Sequence, residues 1–164
     1  MDIMNKIIIC ALSVFLWTAG NAQDFHTLYL ETESFTHQGG WVIDQQSMDV
    51  MGSPYLMAHG MGTPVADAST QVAFPAKGVY NVFVRTRNWN AAWSSEPAGK
   101  FEILVNKKPI NQVFGVGAKD WAWTSGGTID VTDLNVEIAL HDLTGFNGRC
   151  DALYFTTSAT NVPP

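Results

Sequence analysis

The sequence predicts an all-β domain, a jelly-roll β-sandwich. Beyond residue 22 almost no apolar residues recur at helical spacing. Instead there are short runs in which apolar and polar residues alternate. Gly, Pro, Asn and Asp break those runs at regular intervals, as the turns of a sandwich require.

Ahead of the domain, Lys6 precedes an apolar run at 7–17, and Gly20-Asn21-Ala22 has the small-residue pattern of a cleavage site. This reads as a secretory signal peptide over 1–22, with the mature chain starting at Gln23 and exported to the periplasm or the exterior. Strands are expected at 26–31, 40–44, 54–58, 70–74, 79–87, 100–105, 112–114, 128–131, 135–141 and 151–156. Pro75-Ala76-Lys77-Gly78 is a turn in which glycine supplies positive φ, and 105–109 is a hairpin tip. Val136, Ile138 and Leu140 should face inward, as should Phe101, Ile103 and Val105. The strand at 79–87 is apolar on both faces (Tyr80, Val82, Val84 against Phe83), so it should lie centrally. One domain spans 23–157, and 158–164 is a polar tail or truncated linker.

The formal charge is −6, with no basic patch, which argues against nucleic acid and anionic membrane surfaces as partners. Of the two cysteines, Cys10 lies in the leader, leaving Cys150 without an internal disulfide partner. Stability must then come from packing or from a metal. A catalytic Cys150–His141 pair would need an electropositive setting, and a small buried thiol is the ordinary alternative.

Two acidic signatures close the domain: Leu30-Glu31-Thr32-Glu33-Ser34-Phe35 and Arg149-Cys150-Asp151-Ala152-Leu153. If the first and last strands pair, Glu31, Glu33 and Asp151 converge. Three such carboxylates repel unless a cation stands between them, and hard oxygen ligands suit calcium. Either glutamate could instead pair with Arg85 or Arg149.

Among residues for ligand contact, Arg87, Asn88, Trp89 and Trp93 lie at the exit of the central strand. Trp121 and Trp123, two apart, share a face. Flat rings stack on sugar C–H faces, and planar polar groups take the hydroxyls. Tryptophans in a sandwich are also ordinary core and rim packing. The polar block at 44–59 (Asp44, Gln45, Gln46, Asp49, Ser53, His59) is either a binding face or a loop satisfying its own backbone.

The residues Leu30-Glu31-x-Glu33-x-Phe35, Gly78-Val79-Tyr80-x-Val82-x-Val84-Arg85 and Asp151-x-Leu153-x-Phe155 resemble family 6 and 35 carbohydrate-binding modules. Those are galactose-binding-like jelly rolls. The resemblance implies that Glu31, Glu33 and Asp151 contribute to a structural calcium site. The blocks at 39–46, 51–60 and 141–151 also resemble a β-sandwich module attached to secreted FAD-dependent oxidoreductases of glycan-using Bacteroidetes. That likeness implies a flavin domain nearby. No Gly-x-Gly-x-x-Gly opening a helix occurs in this sequence, so no FAD is expected on this chain.

The resulting expectation is an exported, non-catalytic module that binds a glycan or docks on a partner enzyme. The alternative is one module of a split or truncated oxidoreductase. A purely structural scaffold would bury every tryptophan.

Overall fold

The computed structural model describes residues 25–90 and 95–163. The leader at 1–22 and Trp93 lie outside the described residues. Ten strands form in the predicted order: β1 (Thr27–Glu31), β2 (Trp41–Asp44), β3 (Tyr55–His59), β4 (Ala68–Ala73), β5 (Gly78–Thr86), β6 (Phe101–Val105), β7 (Lys108–Phe114), β8 (Ala122–Val131), β9 (Asn135–Asp142) and β10 (Phe146–Thr156). A short helix, α1 (Met48–Met51), joins β2 to β3.

The strands make two antiparallel sheets. The larger runs β2-β3-β10-β5-β8, with β1 also on β10, and the smaller runs β4-β9-β6-β7. The inner faces meet as a β-sandwich in which Val136, Ile138, Leu140, Phe101 and Ile103 are all buried, as their alternation predicts. Phe74 packs edge-on against Tyr80 and Phe155, with ring centres 5.0 and 5.2 Å apart. At the other end Phe101 meets Trp41 and Phe114, each at 5.7 Å. Strand β5 is flanked by β10 and β8, as expected for a run apolar on both faces.

The turns follow local chemistry. Gly78 has φ +141° where positive φ was expected. The β6–β7 hairpin turns on Asn106 (φ 48°) and Lys107 (φ 67°), both left-handed, which is the geometry whose twist matches a hairpin. Asn106 also accepts the backbone N–H of Glu137 at 2.9 Å. Among the described residues the Lys107 side chain finds no such anchor, and it lacks the freedom of glycine. Lys107→Gly is therefore expected to stabilise the domain by about 0.5 kcal/mol. The check is a higher urea midpoint with an unchanged slope.

Several boundaries differ from expectation. Strand β8 begins at Ala122 rather than 128, because Gly126-Gly127 forms a bulge instead of a stop. The residues from Ser125 to Thr128 oppose only Phe83 to Asn81 across the ladder, and Gly127 has φ +76°. A side chain on Gly126 would press on Ile110, Phe114 and Val82. Strand β10 begins at Phe146, not 151, through a second irregularity against β3 between Phe146 and Arg149. Glu33 lies beyond β1. The strand ends at Glu31, and Glu33 sits in a 3-10 turn, Thr32–Ser34. The polar tail folds back on the larger sheet. The Asn161 amide donates to the Tyr154 hydroxyl at 2.7 Å, and the Asn81 amide to the Ser158 carbonyl at 3.1 Å.

Candidate functional site

Strand β10 pairs along one edge with β5, while its other edge is shared. Strand β3 covers Phe146 to Cys150, and β1 covers Ala152 to Thr156. Asp151 stands at the handover. Cys150 pairs with Thr86 and Ala152 with Arg85, so Asp151 is the extra residue of a bulge, which re-aims its side chain.

That places the three nominated carboxylates together. Glu31 lies opposite Ala152, and the Thr32 hydroxyl ties the following turn to the Cys150 carbonyl at 2.6 Å. The Asp151 side chain is fully buried. Its Oδ1 accepts the Ser53 hydroxyl at 3.4 Å, and its Oδ2 lies 3.6 Å from Arg85 Nη1. Arg85 therefore pairs with Asp151 rather than with either glutamate. Burial pushes the Asp151 carboxyl up to about 7; Arg85 opposes this, while Glu31 and Glu33 add to it. Glu33 is raised by burial and by Glu31, and Tyr29 is pushed up to about 12 by burial and by Glu31.

One oxygen on each carboxylate (Glu31 Oε2, Glu33 Oε2, Asp151 Oδ2) is buried with no hydrogen-bond partner. Orphaned carboxylate oxygens in one field fit a hard cation. They are neighbours rather than a closed cage: among the described residues no three His, Cys, Asp or Glu side chains stand in a metal-holding arrangement.

The second cluster lies on the outer side of the same sheet, where β5 leaves it. Thr86 pairs with Ala122, so Arg87 and Trp121 are the next residues on adjacent segments. The Asn88 N–H donates to the Ala118 carbonyl at 2.7 Å, pinning the loop before Trp121. The Trp121 ring stands 4.7 Å from Tyr55, nearly edge-on. The Tyr55 hydroxyl hydrogen-bonds with both Asp44 and Arg149. Arg149 in turn covers the Trp89 ring at 5.2 Å, and Trp89 touches Phe146 at 5.9 Å. Arg87 Nε, Asn88 Oδ1 and Trp121 Nε1 are buried with no hydrogen-bond partner among the described residues.

Of the six residues nominated for ligand contact, Arg87, Asn88, Trp89 and Trp121 thus meet at one end of the sandwich. Trp123 belongs to a neighbouring aromatic group, with Tyr29 at 6.2 Å and Tyr154 at 6.4 Å. Trp41 is core, whereas Trp89, Trp121 and Trp123 are only partly buried. Sequence reasoning missed Tyr55 and the Asp44–Tyr55–Arg149 chain, which no spacing signals because its members come from three strands. In the 44–59 block, Asp44 accepts the Gln46 N–H at 2.8 Å and Ser53 serves Asp151, while Gln45, Gln46, Asp49 and His59 are exposed.

Cys150 is fully buried in the core, and burial pushes its thiol well above the ordinary range. His141 pairs with Asp67 at 2.8 Å on the other sheet. The inert structural thiol is the reading that holds.

No protein-family model matches the chain, and no curated protein matches its sequence. Solved structures do match. A family 35 carbohydrate binding module from Clostridium thermocellum is 17% identical, with a TM-score of 0.60 over 81% of this chain and 98% of its own. The C-terminal family 6 module of a laminarinase from Zobellia galactanivorans is 18% identical, with a TM-score of 0.58 over 80% and 99%. A GH26-CBM35 β-(1,4)-mannanase from Podospora anserina is 15% identical, with a TM-score of 0.62, matching 84% of this chain but 29% of the enzyme. The chain spans nearly all of the isolated modules and under a third of that enzyme. At these identities the likeness establishes the fold, the β-sandwich of carbohydrate-binding modules.

Proposed function

We propose that this chain is an exported, non-catalytic carbohydrate-binding module. It takes a sugar at the end of the sandwich, against Trp121 and Trp89, with Arg87 and Asn88 as polar contacts. The carrying observation is the set of orphaned groups there. Two N–H donors and one amide oxygen, shielded from solvent beside indole rings, are the complement of a ring with hydroxyls. Among the described residues no helix is long and apolar enough to cross a membrane.

A calcium ion held by Glu31, Glu33 and Asp151 would staple the first strand to the last. It would supply charge compensation and no chemistry toward the sugar. The companion flavin domain rests on the sequence resemblance; the structural likenesses reported above are to carbohydrate-binding modules, two of them from a mannanase and a laminarinase.

The test is a thermal-shift and calorimetry panel of neutral and acidic oligosaccharides. A ligand that binds only the folded state must raise the melting temperature. Trp121→Ala should weaken binding by at least about tenfold while circular dichroism shows an unchanged fold. Silence across the panel would sink the glycan reading and leave docking on a partner enzyme domain.

A further inference from the structure

The edge of a sheet is a row of unpaired backbone groups, and folded proteins guard such rows with charge, proline, bulges or a covering segment. This sandwich guards most of its edges. On β4 the backbones of His37 and Ser69 exchange hydrogen bonds at 2.9 and 2.7 Å, which caps the strand. On β7, Lys108 and Pro109 open the strand and Asn111 is left-handed. β8 carries the bulge at Gly126-Gly127 and the exposed Asp130, and β1 ends on Glu31.

β2 differs from all of these. Among the described residues it pairs with β3 alone, in an unbroken register. Val42 and Ile43, 43% and 46% exposed, follow one another on a strand that has no lysine and no proline. Its charged residue, Asp44, is buried and hydrogen-bonds with the Tyr55 hydroxyl. The helix that follows, α1, adds the exposed Met48 and Val50. An open edge with apolar side chains on it is a template for another strand.

We propose that β2 is the interface between two copies of this chain, paired antiparallel about a two-fold axis so that their larger sheets run on from one to the other. A strand turned about such an axis meets itself antiparallel, so one patch serves both partners and Val42 and Ile43 are covered by the same residues of the copy. Charge selects the same occupant. Residues 38–61 hold two carboxylates, Asp44 and Asp49, and no lysine or arginine, so a charged partner finds no counter-charge here. For two chains of formal charge −6 each, a nearly uncharged face is where approach costs least. The ladder is only four residues long, which keeps the contact small and the dimer weak and reversible.

The test is sedimentation equilibrium of the mature chain. Its mass should rise from that of one chain toward that of two between low and high micromolar concentration. Ile43→Lys should weaken the dimer by at least about a hundredfold, because the axis counts each lost apolar contact twice. Val42→Lys should act alike. Both side chains are exposed, so the melting temperature of the dilute protein should stay at the wild-type value, which separates loss of the interface from loss of the fold. If one of the two variants melts early, the other decides. Val79→Lys, at an exposed valine of β5, should leave the dimer intact. A chain that stays monomeric throughout, a mass that grows past two chains, a dimer that survives the lysines on β2, or one lost equally in Val79→Lys overturns the proposal.

Discussion

Millimolar calcium is expected to raise the melting temperature of the mature domain by several degrees, and chelation to reverse the rise. At a hundredfold excess over its dissociation constant a ligand adds about 2.7 kcal/mol, and each kcal/mol is worth about 2–4 °C in a domain of this size. The physical basis is the charge balance at the β1–β10 junction. Three carboxylates, Glu31, Glu33 and Asp151, face one guanidinium, Arg85, and each keeps a buried oxygen without a hydrogen-bond partner.

Without a cation the strain falls on Asp151. Its carboxyl holds a proton up to about 7 in the folded state but only to about 3.9 when unfolded. Between those values the folded state binds more protons, so stability falls as pH rises from about 4 to about 7, by about 4 kcal/mol at most. Calcium favours the charged form and should flatten that slope. Asp151→Asn should act in opposite directions: a higher melting temperature at pH 8 in EDTA, and no response to calcium. Melting curves from pH 4.5 to 8, with calcium or EDTA, read all of this. If calcium leaves wild type unmoved, Arg85 and Ser53 alone compensate Asp151, and the staple is an ion pair.

Much of this architecture is legible in the sequence because strand alternation is a local signal. The inward faces of β9 and β6 follow from Val136, Ile138 and Leu140 and from Phe101 and Ile103, all buried as read. The bulges are not legible. Gly126-Gly127 looks like a break, yet the strand continues through it, and nothing local marks Asp151 as an inserted residue. The candidate site divides in the same way. Arg87, Asn88, Trp89 and Trp121 can be found from loop composition. Their support by Tyr55, Arg149 and Asp44 exists only once the order β2-β3-β10 has formed. The partnership of Trp123 with Tyr29 and Tyr154 likewise needs the register that sets Tyr29 opposite Tyr154.

Two glycines only two residues apart should respond in opposite ways to alanine. Gly115 has φ +76°, and a Cβ there would run into the carbonyl oxygen of Gly99. Gly99 is itself pressed against the backbone at Asn147 and Gly148. Three chain segments thus stack main chain on main chain, leaving no room for a side chain between them. Gly115→Ala meets both a strained backbone and a clash with an atom that has no rotamer to escape into. A loss of about 3 kcal/mol is expected, roughly 10 °C in melting temperature. Gly117 has no atom within 4 Å of its would-be Cβ and is not among the positive-φ residues, so Gly117→Ala should stay within about 0.5 kcal/mol of wild type.

The consequence extends to binding. Gly115 opens the loop whose Ala118 carbonyl is held by Asn88 and which delivers Trp121 to the site, while Asn147 on the other side accepts from Arg149. Displacing Gly115 therefore shifts Trp121 relative to Arg87 and Asn88. Well below its melting temperature, Gly115→Ala should bind sugar more weakly than wild type, and Gly117→Ala equally well. A Gly115→Ala protein that melts and binds like wild type would mean that these loops do not stack and that Trp121 is positioned by Tyr55 alone.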